Sequence, residues 1–466
     1  MSKKSDSVAS SVTPDPWKGP PPMHLLRSSL FAAAAFTLFS NAFGQASLAP
    51  TPPMGWNSWD SFGPSVREPE VKSNADFMSA KLASHGWQYI VVDIEWYAPD
   101  AHAAGYIPRG RVSMDAYGRF VPAPNRFPTA VNGAGFKPLA DYVHSKGLKF
   151  GIHIMRGIPR NAVDENLPIE GTHFHAADIA DKQNICHWNG MEDTYGVDMS
   201  KPGAQAYYDS IARLYAQWGV DYVKADDMSR PYHKAEIHAL SMALKKTGRP
   251  IVLSLSPGPA PIAEYDNLKA NAELWRISND FWDRWVDVLK QFDLTAAWQG
   301  KSHPGGWPDA DMLPLGHIGI RAERGVDRSS LLTHDEQITL MSLWSIFRSP
   351  LMFGGDLATS DAFTVGLLTN QNVLDVDQKS SDGRQAYSQN SIIAWTANGQ
   401  DPHSKYVAIF NTSDAPKAID LPFQTLGLPT GTFQVRDLWA SKDIGSTDRV
   451  KISLRPHAAV LYKVVQ

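Results

Sequence analysis

The sequence predicts an α/β chain, a (β/α)8 TIM barrel followed by a smaller antiparallel β module. Three observations carry that expectation. Short apolar runs alternate with helical patterns between positions 54 and 353. Ionisable side chains gather at the C-terminal ends of those runs. Beyond Gln378 the pattern changes to apolar runs of period two, separated by Gly, Pro and Asn turns.

The expected barrel strands cover 54–59, 89–93, 148–154, 221–226, 250–256, 274–278, 307–312 and 350–353. Helical patterns lie between most of them, as at 70–85, with Phe77, Met78 and Leu82 on its apolar side, and at 204–218. Strand alternating with helix implies parallel pairing, and eight such units fit a closed barrel better than an open sheet. The later runs at 391–396, 406–410, 433–438 and 458–464 read as an antiparallel module whose role is to pack on the barrel, with carbohydrate binding as the alternative.

The chain of 466 residues is long enough for a barrel of roughly 250 residues or more and one further module. The expected boundaries are a leader and secretory signal over 1–46, the barrel over 47–380 and the β module over 381–466. Hydrophobic residues at 43% and charged residues at 20% exclude general disorder. A net charge of −4 supplies no basic stripe for a phosphate backbone, so nucleic acid is not an expected partner. The 15 Trp suit sugar stacking as well as core packing. The single Cys186 excludes an intramolecular disulfide framework and a four-cysteine zinc site. Its neighbour His187 does not make it a nucleophile pair, because adjacent residues rarely face each other.

Near the N-terminus, Arg27 precedes the apolar run 30–39, and small residues follow around Ala42, Gly44 and Ala46. A run of that length fits a signal h-region and is too short to span a bilayer. Cleavage is expected near Gly44 or Ala46, with Met23 as a candidate start, giving an exported (periplasmic or secreted) protein with no membrane attachment after cleavage.

The strand-end residues are Asp93 and Glu95, His153 and Arg156, Asp226 and Asp227, Ser256, Asp280, Asp309 and Asp311. In a barrel these ends open on one face, where active sites of this fold lie. Asp227 and Asp309 also suit helix N-caps. Glycosidic bonds are cleaved by two carboxyl groups in opposite roles. Asp226 ends an apolar strand with Lys224 two residues back on the same face, and a nearby ammonium favours the ionised form of a nucleophile. Asp280 is followed by Phe281 and Trp282, which are expected to shield it from water and favour the protonated form of an acid catalyst.

The segments 54–59 (MGWNSW), 139–152 (LADYVHSKGLKFGI), 218–226 (WGVDYVKAD), 275–280 (WRISND) and 305–313 (GGWPDADML) occur in the order found in glycoside hydrolase family 27. From about Thr51 to the C-terminus the chain resembles this family, the α-galactosidase and melibiase family of clan D. The resemblance implies a β-sandwich for the C-terminal module and places the nucleophile at Asp226 and the acid/base at Asp280. It puts Trp59, Asp93, Lys224, Arg276 and Asp311 on positions that line the sugar pocket. It implies a retaining exo-glycosidase hydrolysing terminal α-galactosides of oligosaccharides or polysaccharides through a covalent glycosyl-aspartate, without metal or other cofactors. Retention calls for carboxyl groups about 5–5.5 Å apart.

Three departures from the family bear on the sugar. The usual second aspartate after strand two is replaced by Ile94 in Asp93-Ile94-Glu95. An apolar side chain cannot bond a hydroxyl, and Glu95 is the candidate replacement, although a one-residue shift along a strand points to the other face. His153 stands where tyrosine is common, either as a core histidine or as a hydroxyl contact. Ser256, in Leu255-Ser256-Pro257-Gly258-Pro259, occupies the loop whose serine marks N-acetylgalactosaminidases. The stretch between His153 and Asp221 is also longer than in compact relatives. It carries His173, His175, His187, Trp188, Glu192 and Asp193 and reads as a surface loop, a lid or a distal subsite; its histidines match no recognised metal-ligand spacing.

The same two-aspartate machinery acting on an α-glucan (isomaltodextranase-like), an α-N-acetylgalactosaminide or a β-L-arabinopyranoside is the alternative within enzymes. A non-catalytic carbohydrate-binding protein is the alternative outside them.

Overall fold

The computed structural model describes residues 47–186 and 193–466. The expected signal segment, together with His187, Trp188 and Glu192, lies outside the described residues.

Eight parallel strands form the barrel: β1 (Met54–Asn57), β2 (Tyr89–Val92), β3 (Lys149–Met155), β4 (Tyr222–Asp226), β5 (Val252–Leu255), β6 (Leu274–Arg276), β7 (Trp307–Asp309) and β8 (Leu351–Phe353). The ladders run in sequence from β1 to β7, and β8 pairs back on β1 with Met54 opposite Leu351. Between β7 and β8 the sheet closes through one parallel bridge, Leu313 with Phe353. There the Leu313 N–H donates to Met352 O at 2.7 Å and the Gly354 N–H to Leu313 O at 3.0 Å. Most strand side chains are buried on both faces, which is why these strands read as nearly continuous apolar runs.

The helix expected at 204–218 spans Ala204–Trp218 and buries Tyr207, Tyr208, Ile211, Tyr215 and Trp218. Gly219, in the left-handed region at φ 83°, ends it. The helix expected at 70–85 begins earlier, at Glu68. The Arg67 N–H donates to Glu70 Oε2 at 2.8 Å, and Pro69 sits in the first turn. It is regular only to Phe77, then widens into a π turn over Met78–Leu82 and tightens over Ala83–His85. The stretch after β3 forms its own small antiparallel sheet from Ile158–Pro159, Thr194–Val197 and Ala180–Ile185, with short helices at Arg160–Asp164 and Ala176–Ile179.

The C-terminal module is a β-sandwich. Its larger sheet has the order β9-β10-β11-β16-β13-β14, from β9 (Ser381–Gln389), β10 (Ile392–Asn398), β11 (Ser404–Asn411), β13 (Phe433–Asp437), β14 (Lys442–Thr447) and β16 (Ala459–Val465). The second layer pairs β12 (Lys417–Pro422) with β15 (Arg449–Leu454). Alternation along the strands divides the large sheet between two cores. Trp395, Ala397, Tyr406, Ala408, Phe410 and Leu461 join the barrel core, whereas Ile392, Ala394, Val407, Ile409, Val460 and Tyr462 face the second layer. The helix His334–Phe347 lies at the junction and is buried along most of its length. There the Trp439 Nε1–H donates to Ser342 Oγ at 2.8 Å, and the Thr339 hydroxyl donates to His457 O at 2.6 Å.

Among the described residues, no helix is long and apolar enough to cross a membrane, and no cluster of three or more His, Cys, Asp or Glu is placed to hold a metal ion.

Candidate active site

At the C-terminal mouth of the barrel lies a small cavity lined by Trp59, Asp60, Asp93, His153, Lys224, Asp226, Arg276, Asp280, Phe281, Trp282, Asp311 and Met312. Each side chain arrives from the end of a strand or the turn after it, as parallel strands of a barrel require. Asp226 and Asp280 share this cavity, and so do Trp59, Asp93, His153, Lys224, Arg276 and Asp311.

Two buried ion networks shape the floor. In the first, Asp93 accepts hydrogen bonds from Asn57 Nδ2 at 2.7 Å and Lys224 Nζ at 3.1 Å. His153 Nδ1 lies 2.5 Å from its other oxygen, and His153 Nε2 lies 3.3 Å from Asp226 Oδ2. Burial favours neutral Asp226, but the hydrogen bond and charge of His153, with Lys224 behind them, hold its carboxyl below the usual range. Burial likewise opposes the charge on His153, yet Asp93 and Asp226 outweigh it and raise the imidazole above its ordinary value. The network therefore favours the charged form of His153 as well as that of its carboxylates, and the negative charge that faces the cavity on Asp226 is stabilised in place.

In the second network, Arg276 Nη2 pairs with Asp311 Oδ2 at 2.7 Å and reaches Asp280 Oδ1 at 3.4 Å. Asp311 is held at a left-handed φ of 89°, a conformation costly for a non-glycine residue. Its carboxylate accepts the Phe281 N–H at 2.7 Å and the Met312 N–H at 2.8 Å, and its carbonyl accepts Trp344 Nε1–H at 2.9 Å. These contacts hold a strained backbone and give Arg276 a fixed counter-ion.

The shielding expected for Asp280 is absent. Its side chain is 43% exposed. Phe281 turns inward to pack on Trp344 at 5.1 Å, and Trp282 lies along the cavity wall. The open side of Asp280 leaves its carboxyl accessible from the cavity and from solvent.

Glu95 and Ser256 do not line the cavity. Glu95 adopts φ 63° and faces a separate hollow with Asp193, where burial and the neighbouring Asp193 push its carboxyl up to about 8. Burial pushes Asp193 up to about 7, and the Tyr97 hydroxyl donates to it at 3.0 Å. Glu95 lies beyond the end of β2 at Val92, and its left-handed backbone, not strand alternation, turns its side chain away from the cavity. The Ser256 hydroxyl is buried and unpartnered within the protein. The expected helix caps also have other roles: Asp227 pairs with Arg156 at 2.8 Å, and Asp309 accepts the Asp311 N–H at 2.9 Å. His173 packs on Phe174, and His175 closes the turn that starts Ala176–Ile179; neither belongs to the cavity.

Asp60 is the cavity residue that sequence reasoning missed. It is 1% exposed, and Oδ2 has no partner within the protein. Burial, with Asp311 and Asp93 nearby, raises its pKa well above the ordinary carboxylate value despite Lys224. Burial thus favours its neutral form, which can donate as well as accept. The available signal was its place directly after Trp59 at the end of β1.

A family profile described as alpha galactosidase A matches residues 51–163 and 190–379, and one described as the alpha galactosidase C-terminal beta sandwich domain matches 389–464. The chain belongs to glycoside hydrolase family 27. The gap at 164–189 falls in the added sheet after β3. A β-L-arabinopyranosidase of this family from Geobacillus stearothermophilus, solved in complex with arabinose, is 50% identical, with 90% of this chain and 98% of that one covered and a TM-score of 0.87. The alpha-galactosidase of Oryza sativa subsp. japonica is 28% identical over 91% of this chain and 86% of its own length. The alpha-N-acetylgalactosaminidase of Gallus gallus is 28% identical over 89% and 93%. The chain is a glycoside hydrolase of this family.

Proposed function

We propose that this family 27 hydrolase removes terminal galacto-configured pyranosides with retention, and that its preferred glycone is β-L-arabinopyranose. That sugar has the ring and hydroxyl stereochemistry of α-D-galactopyranose but bears hydrogen in place of the C5 hydroxymethyl group. The observation that carries the preference is Ile94. The residue next to the cavity carboxylate Asp93 is apolar where the family usually supplies a second aspartate for the sugar, so the site lacks a polar partner that a hydroxymethyl-bearing glycone would use. The 50% identity to an arabinopyranosidase supports the same reading.

In this reading Asp226, kept ionised by His153 and Lys224, attacks C1 and forms a glycosyl ester as the C1–O bond breaks. Asp280 gives its proton to the departing glycosidic oxygen. The resulting Asp280 carboxylate then takes a proton from a water that attacks C1 from the vacated side, releasing the sugar and free Asp226. Trp59 offers an apolar ring face, and Asp93, Lys224, Arg276 and Asp311 offer fixed polar groups to the hydroxyls.

Steady-state kinetics on 4-nitrophenyl β-L-arabinopyranoside and α-D-galactopyranoside test the preference. The expected result is kcat/KM at least about ten-fold higher for the pentoside, the scale of a lost polar contact in a buried site. Equal values, or preference for the galactoside, would favour the second reading, a terminal α-galactosidase, which the plant relative supports. We further propose that the protein is exported through the segment around Arg27 and 30–39. N-terminal sequencing of the mature protein should begin near Ser47, and an intact leader on the active protein would refute export.

A further inference from the structure

Beside the cavity lies a second, wider and more open hollow, lined by Trp282, Asp283, Arg284, Arg324, Gly325, Val326, Arg328 and Leu331. Its two aliphatic side chains are unusually open to solvent: Val326 is 73% exposed and Leu331 67%. They are not on a loose loop. Buried Asp283 takes Arg328 in a two-point grip, Nη2 at 2.7 Å and Nε at 3.0 Å, and accepts the Leu331 N–H at 2.9 Å. Ser329 and Arg328 pair as a short ladder with His317 and Ile318. The fold thus fixes an apolar surface outward, an arrangement that costs solvation unless something covers it.

Trp282 lines both this hollow and the cavity. It stands two residues after Asp280, and the charge of Asp280 also acts on Arg324 on the far side of the groove. Chemistry requires the leaving group to lie on the proton donor's side of C1. The groove therefore begins where the aglycone must depart.

We infer that the groove formed by Trp282, Val326 and Leu331 is an aglycone subsite for an apolar aglycone, alkyl, aryl or polycyclic, rather than for a second sugar. This rests on the assignment of Asp280 as proton donor. A sugar aglycone would bring hydroxyls to a surface whose charged groups are already paired, Arg328 with Asp283, Arg284 with Asp287 and Arg324 with Glu323. Arg324 and Arg284 add flexible aliphatic stems along the edge, suited to covering a flat apolar skeleton.

The test compares octyl and methyl glycosides of the same sugar, whose alcohols make similar demands on Asp280. Both β-L-arabinopyranosides and α-D-galactopyranosides are assayed, together with a disaccharide of each. The glycone reading decides which series is cleaved, and the groove decides the ranking within it, so the two fail separately. The expected kcat/KM ratio of octyl to methyl is on the order of ten or more, since burying a few methylenes suffices for that. Leu331→Ser and Val326→Ser should each lower the ratio several-fold through KM on the octyl substrate. An octyl to methyl ratio within about two-fold, a disaccharide better than the octyl glycoside, or a ratio unmoved by both substitutions would overturn the assignment.

Discussion

His153 Nε2 lies 3.3 Å from Asp226 Oδ2. The same ring faces Asp93 through Nδ1, so one buried imidazolium stands between two carboxylates. Replacement by glutamine leaves those buried carboxylates short of a cation, which should cost about 3–5 kcal/mol. Burial opposes its charge but Asp93 prevails, so its folded pKa is raised. Its contribution to stability is complete below pH about 6.5 and is lost as pH rises through the raised value. The difference in Tm between wild type and His153→Gln should therefore narrow above neutral pH. A difference constant from about pH 6 to pH 9 would mean that the ring is neutral. Asp93 and Asp226, both lowered, act in the opposite sense: their contribution is present above pH about 4 and is lost as pH falls through their depressed values.

The two aspartates should separate by leaving group. Asp226→Asn is expected to cut kcat on every substrate by about 10⁴ or more in protein that still folds. Asp280→Ala should cost little on a 4-nitrophenyl glycoside, which leaves without protonation, and about 10²–10⁴ on an alkyl glycoside. Equal losses on both substrates would remove Asp280 from the proton-donor role.

Ile94→Asp should raise the galactoside to pentoside ratio of kcat/KM by about ten-fold or more, by restoring the family's second carboxylate beside Asp93. Ile94 is fully buried, so some loss of Tm accompanies the change. An unchanged ratio in folded protein would show that position 94 does not select the glycone.

Gly354 gives Asp60 its space. A Cβ at that position would lie 1.8 Å from Asp60 Oδ2, so Gly354→Ala must displace the carboxyl into the cavity. The expected cost is about 1–3 kcal/mol in stability together with a raised KM. Normal stability and normal KM would show that Asp60 is not confined.

The barrel was legible because its strands are buried on both faces and several of them, such as β2, β4, β6 and β7, end at or beside an ionisable residue; eight apolar runs in the sequence became eight strands. Asp93, Lys224, Asp226 and Arg276 could be placed because each sits on or immediately after a strand, where alternation fixes direction. Asp60, Glu95 and the surroundings of Asp280 resisted because they lie beyond the strand ends, Asp60 in the short helix Trp59–Phe62 and the other two in loops. The backbone at Glu95 takes φ 63°, and Phe281 rotates away from Asp280 toward Trp344, and no periodicity in the sequence encodes either. The two-residue error at the start of Glu68–Phe77 likewise came from a capping interaction made by Arg67 and Glu70 rather than by a Ser or Asp.

The indole of Trp344 ties the carbonyl of Asp311 to the helix His334–Phe347, and the same helix is roofed by the sandwich through Trp439 and His457. The rear module is thus mechanically upstream of Arg276 and, through it, of Asp280. A chain cut between Lys379 and Ser381 would not be a smaller enzyme: it would uncover the aromatic face of Trp285, Phe292 and Phe347 and slacken the clamp on the far rim of the cavity.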